Sequence, residues 1–134
     1  MTEIAIFGIG GTNFRYAVGT GEGELLTEVR IDPTDHANLG TQITDAIRSL
    51  QSEGYSPVAA GVSCTGLVDA SAGAIELMHT PAGDPIRDLD VAGAVNEAFD
   101  IPAYVRNDCN VAVLGEYEFG AGRDYETVVH VTMG

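Results

Sequence analysis

Ile4-Ala5-Ile6-Phe7-Gly8-Ile9-Gly10-Gly11-Thr12-Asn13-Phe14-Arg15 is the stretch on which the reading of the whole chain turns. An apolar run meets Gly-x-Gly-Gly-Thr, and Phe14-Arg15-Tyr16-Ala17-Val18 begins a second alternating run. That pattern predicts strand, tight glycine turn, strand, and hence a hairpin rather than a strand-to-helix unit. Glycines in a turn leave backbone N–H groups bare of side chains, so an anion can come close. Thr12 adds a hydroxyl at the same place, and the chemistry on offer at Gly10, Gly11 and Thr12 is phosphate binding. A hairpin without a ligand carries the same signature, and the residues of this stretch alone leave both readings open. A dinucleotide-binding loop would need G-x-G-x-x-G entering a helix. Here Asn13 stands where the last glycine would be, and β-favouring residues follow.

Outward from the hairpin, 134 residues with 45% hydrophobic content suggest one packed domain rather than a disordered chain. There is no apolar run of about 18 residues to span a membrane. Met1-Thr2-Glu3 lacks the basic region of a secretory signal, and the two cysteines, Cys64 and Cys109, lack Cys-x-x-Cys spacing. Reduced thiols and a cytoplasmic location are expected. Charge is the unusual property. Twenty Asp and Glu oppose six basic residues, all arginine, for a net charge of −14 and no lysine. Such a field repels nucleic acid and anionic lipid, which argues against both as partners. The acids are scattered rather than gathered in a tail, and this composition points to a salt-in halophile, an archaeon being the expected source.

The rest of the chain predicts alternating elements. Leu25 to Ile31 reads as a third strand broken by Asp32-Pro33-Thr34-Asp35. Leu39, Ile43, Ile47 and Leu50 fall on one helical face, with Gly54 as the stop. Val58 to Val62 reads as a buried strand, Ala70 to Gly73 as a turn, and Ala74 to Leu77 as a short returning strand. Leu89, Val91, Val95 and Phe99 suggest a second helix, and Pro102 to Arg106 another strand. A helix through Val111, Leu114 and Tyr117 stops at Gly120, and Thr127 to Thr132 reads as a last strand. Strands by hairpin followed by alternating helices and strands make an α/β domain with a mixed sheet and flanking helices. A chain breaking off in an apolar strand at Gly134 suggests that a further domain follows.

Asn107-Asp108-Cys109-Asn110 lies between a strand and a helix, where α/β ligand sites usually lie. A helix N-terminus favours the ionised form of Asp108, although an aspartate at such a junction more often serves only as an N-cap. The order of the pieces is more specific than any one of them. Gly-Gly-Thr-Asn-x-Arg is followed by Gly66-Leu67-Val68-Asp69, Arg106-Asn107-Asp108-x-Asn110-x-Ala112, Leu114-Gly115-Glu116 and Phe119-Gly120-Ala121-Gly122. In this order and spacing the chain resembles the ROK (repressor, open reading frame, kinase) family of sugar kinases, which have the ribonuclease-H-like, actin-like ATPase fold.

The resemblance covers nearly the whole chain but only the N-terminal part of such a kinase. It implies ATP-dependent phosphorylation of a hexose, with residues 1–134 as the N-terminal domain and the C-terminal nucleotide and zinc domain absent from this chain. Gly10, Gly11 and Thr12 match the loop that holds the ATP phosphates. Asp108 matches the base that takes the proton of the attacking sugar hydroxyl. Asn107 matches a sugar contact, and Gly66 belongs to the loop beside the sugar. The implied cofactors are ATP and Mg²⁺, and any structural zinc would be bound beyond Gly134. Homodimerisation is compatible with the resemblance. A non-catalytic sugar-binding or sensor protein of the same fold is the alternative.

Three departures stand out. Gly8 replaces the aspartate of Asp-x-Gly-Gly-Thr, which the family uses near the metal and phosphates. Met78-His79-Thr80-Pro81-Ala82-Gly83 lacks the asparagine expected after the proline. The chain also ends before the second phosphate loop. His36, His79 and His130 do not form a zinc set by spacing and read as structural or surface residues, and no metal ligand is assigned. No helix-turn-helix precedes the first strand, which favours the kinase branch over the repressors.

Overall fold

The computed structural model describes residues 2–133. Its elements are β1 (Glu3–Ile9), β2 (Asn13–Thr20), β3 (Arg30–Pro33), α1 (Leu39–Ser52), β4 (Ala59–Cys64), β5 (Leu67–Asp69), β6 (Ala74–Met78), β7 (Ile86–Asp90), α2 (Val91–Phe99), β8 (Ala103–Asn107) and α3 (Asp108–Glu118). Five strands form a sheet in the order β3-β2-β1-β4-β8, and β5-β6-β7 form a small second sheet. The β1–β2 hairpin is antiparallel, while β4 runs parallel to β1 and β8 parallel to β4. The large sheet is therefore mixed, and helices join its parallel strands, as the alternating pattern predicts.

Alternation along each strand gives the large sheet two unlike faces. Ala5, Phe7 and Ile9 of β1 share one face with Phe14 and Val18 of β2 and with Val62 and Val105. These residues join Ile43, Ile47 and Leu50 of α1, Val91 and Val95 of α2 and Ile75 of β6 in one buried cluster. Phe7 and Phe14 pack with ring centroids 5.7 Å apart. On the other face Gly8, Arg15, Ser63, Tyr104 and Arg106 border a cavity of about 450 Å³.

The structure corrects three of the expected elements. Leu25 makes only an isolated bridge to Gly19, and the Thr27 hydroxyl accepts from Val18 N at 3.0 Å, a place the next strand's backbone would otherwise take. The third strand therefore begins at Arg30 and includes Asp32-Pro33, which an edge strand tolerates because the missing N–H can face outward. Leu89 lies in β7 rather than in the second helix. Asp90 ends that strand and caps α2, its side chain accepting from Gly93 N at 2.9 Å. Thr127 to Thr132 forms no strand: Val129 and Val131 are 81% and 71% exposed. An alternating sequence becomes a strand only where a neighbouring edge takes its hydrogen bonds, and no described segment offers one. The helix expected through Val111, Leu114 and Tyr117 is present as α3, yet none of its residues is buried.

Candidate functional site

The register of the three parallel strands gathers the candidate residues. Ile9 of β1 is level with Cys64 of β4, which is level with Asn107 of β8. The next residues along the three strands are the Gly10–Thr12 turn, Thr65-Gly66 and Asp108. Stretches nearly a hundred residues apart thus meet at the carboxyl edge of one sheet, where α/β folds hold their ligands. Two strand spacings separate the turn from Asp108, about 10 Å across the edge.

The turn is tied down through its carbonyls. Gly10 N donates to Asn13 O at 2.9 Å and closes the hairpin. The Thr34 hydroxyl donates to Gly10 O at 2.9 Å, His36 Nε2 lies 2.6 Å from Gly11 O, and Thr34 N donates to Thr12 O at 3.0 Å. Among the described residues, no hydrogen-bond partner takes the N–H of Gly11 or Thr12. Thr12 is exposed. Thr34 and His36 have no motif in the sequence that marks them. Their role follows from β3 running on past Pro33 beside the turn.

At the other end of the edge the contacts are closer. Gly66 has φ +97°, and a Cβ there would fall 2.2 Å from Leu77 O, so both backbone and space require glycine. Its carbonyl accepts from Asn107 Nδ2 at 2.9 Å. Asn107 Oδ1 in turn accepts from Cys109 N at 3.0 Å, so Asn107 is the N-cap of α3. The alternative of Asp108 as the N-cap is thereby removed: Asp108 lies in the first turn, half-buried, its Oδ1 2.9 Å from Cys109 N. Cys64 lies beneath the same corner. Burial, and secondarily the Asp108 charge, push its thiol up to about 11. Asp69, which follows in the same motif, belongs to the β5–β6 turn. The Ser71 hydroxyl and then the Ala72 N–H hold its carboxyl below the ordinary range.

The remaining residues take their places around this edge. The Met78–Gly83 stretch passes between the two ends, with His79 O and Pro81 Cδ each 3.8 Å from where a Gly11 Cβ would be. Gly8 lies opposite Arg15 on β2 and Ser63 on β4, and Ser63 lies opposite Arg106 on β8. Arg15 thus faces the open side of the sheet rather than the turn. No carboxylate lines the cavity there. Among the described residues, no group of three or more His, Cys, Asp or Glu is arranged to hold a metal ion, and no helix is long and apolar enough to cross a membrane.

Comparison with known proteins identifies the chain's family and fold. The profile described as the ROK family matches residues 4–134. A glucokinase of Streptomyces coelicolor is 29% identical over 94% of this chain and 39% of its own length. A xylose repressor of Bacillus subtilis is 24% identical over 82% of this chain and 25% of its own length. The chain therefore spans well under half the length of these relatives. Among solved structures, a ROK family glucokinase from Streptomyces griseus, in complex with glucose and AMPPNP, superposes with a TM-score of 0.72 at 30% identity, covering 92% of this chain and 39% of that one.

Proposed function

Since the chain belongs to the ROK family, with its actin-like ATPase fold, we propose that it is the sugar- and phosphate-binding part of an ATP-dependent hexose kinase of glucokinase type. The observation that carries this reading is the shared edge. A turn with two N–H groups unpartnered among the described residues and a half-buried aspartate lie two strand spacings apart along it, about 10 Å. In this reading Gly10, Gly11 and Thr12 hold the ATP phosphates. Asp108 orients the attacking hydroxyl and takes its proton as the new O–P bond forms and the bond to ADP breaks. Phosphoryl transfer needs little covalent help, so alignment and charge are most of what the protein must supply. Asn107 has one amide N–H on Gly66 O, which leaves the second for a sugar hydroxyl.

ATP fits the turn, because the carbonyls there are engaged and, among the described residues, the N–H groups of Gly11 and Thr12 are not. Mg²⁺ fits less well, since β1 carries Gly8 where the family's aspartate would stand. No step is assigned to a metal. The repressor relative and Gly8 together favour one second reading, a sugar-binding protein without transfer chemistry. The net charge of −14 counts against a partner made of DNA.

The test is Asp108→Asn in the full-length protein. Sugar binding is expected to persist while kcat falls by on the order of 10²–10⁴, the usual worth of a positioned base. Sugar-dependent ADP release measures it, and equal rates would reduce Asp108 to a structural residue. Turnover by the 134 residues alone would overturn the division into two domains.

A further inference from the structure

We propose that Thr34 and His36 are positioning residues for the phosphoryl donor, holding the Gly10–Thr12 turn in the one orientation that can receive an anion. The inference rests on the reading of that turn as the phosphate site. In a trans peptide the C=O and the following N–H point in opposite directions. A carbonyl fixed inward therefore fixes the next N–H outward. Thr34 Oγ1 on Gly10 O sets the Gly11 N–H, and His36 on Gly11 O sets the Thr12 N–H. Those are the two groups with no partner among the described residues.

The brace is needed because of the glycines. With no Cβ, Gly10 and Gly11 let the intervening peptide units turn over at little cost. A turned unit would present a carbonyl oxygen to the phosphates, and a repulsive contact would replace an attractive one. The brace is itself anchored. Gln42 of α1 donates to Pro33 O at 2.9 Å and accepts from Asp35 N at 2.8 Å, which fixes the segment carrying Thr34 and His36 to a helix. Thr34 is buried. A carbonyl only accepts, so His36 Nε2 must carry a hydrogen and donate it.

Replacement of the donor separates this role from general support of the fold. In the full-length protein, His36→Leu is expected to weaken ATP binding roughly five- to tenfold, the worth of one lost hydrogen bond and its directional effect. Glucose affinity and melting temperature should stay near those of the wild type. His36→Gln, which keeps a donor, should recover ATP affinity to within about twofold. Thr34→Val should act in the same direction as His36→Leu. Calorimetric titration with ATP and with glucose, each alone, reads both affinities without requiring turnover. Equal losses for the two ligands, no loss, or a glutamine variant as weak as the leucine one would overturn the proposal. A wild-type protein that binds ATP but transfers nothing would refute the kinase reading while the ratio between variants still decides the brace. A wild type that does not bind ATP would refute both.

Discussion

At Gly66 the chain leaves β4 with φ +97°, and a Cβ would lie 2.2 Å from a backbone oxygen; at Gly8 on β1 the first atom a Cβ would meet is Arg15 Cβ at 3.9 Å. Both glycines stand near the same edge of the same sheet. Gly66 belongs to the end near Asp108, where loop, cap and strand are in close contact. Gly8 belongs to the end near the turn, where the sheet face is open and bordered by Arg15 and Arg106. Glycine is therefore a requirement of the backbone in the first case and of nothing in the fold in the second. The contrast leaves position 8 with room for the aspartate that the family resemblance implies there.

The broadest way to test that contrast is ionic strength, because both ends depend on a fold with a net charge of −14. Only two ion pairs, Arg30–Glu53 and Arg48–Asp45, form among the described residues. Domain stability is only about 5–15 kcal/mol, and molar salt shortens the Debye length to about 3 Å. The melting temperature should rise markedly from dilute buffer to molar KCl, and thermal melts followed by circular dichroism read it. A flat or falling melting temperature would remove the halophile interpretation and leave the site untouched.

Gly66→Ala should have the next largest effect, a loss of about 3 kcal/mol from the strained φ and the clash. That corresponds to a fall of roughly 10 °C in melting temperature, with sugar binding weakened through Asn107. Unchanged stability would mean that the close contacts at this end are not needed. Gly8→Asp should stay within about 0.5 kcal/mol of the parent stability and raise Mg²⁺-dependent turnover of the full-length protein. A fall in turnover would show that the donor end has come to need the open space.

The smallest effect concerns Cys64. Its thiol is raised from 9.0 to about 11 in the folded chain, so the unfolded chain loses its proton first as pH rises. Stability from this group is intact below pH 9 and declines toward pH 11. Cys64→Ala should flatten that part of the stability–pH curve. A thiol reagent at pH 8 should label exposed Cys109 and spare Cys64 until the chain unfolds.

The hairpin, the helix through Leu39 to Leu50, the strands at β4 and β8 and the mixed α/β class were legible in the sequence, because period and glycine punctuation are local properties. The third strand and the last one were not. Thr27 occupies the ladder position next to Val18, and Thr127 to Thr132 finds no neighbouring edge; both facts depend on what lies alongside.

The same division runs through the site. The residue types of the turn, the Asn107-Asp108 pair and the glycine at position 8 are properties of the sequence alone, and so is the net charge of −14. That Asn107 rather than Asp108 caps α3, that Gly66 has no room for a Cβ and Gly8 has, and that Thr34 and His36 hold the turn were decided by tertiary structure. The capping side chain is held from outside α3 by the Gly66 carbonyl, and the glycine clearances and the turn brace likewise depend on separate segments arriving within a few ångströms of each other. Register between strands sets that distance, and no local pattern in either segment encodes it.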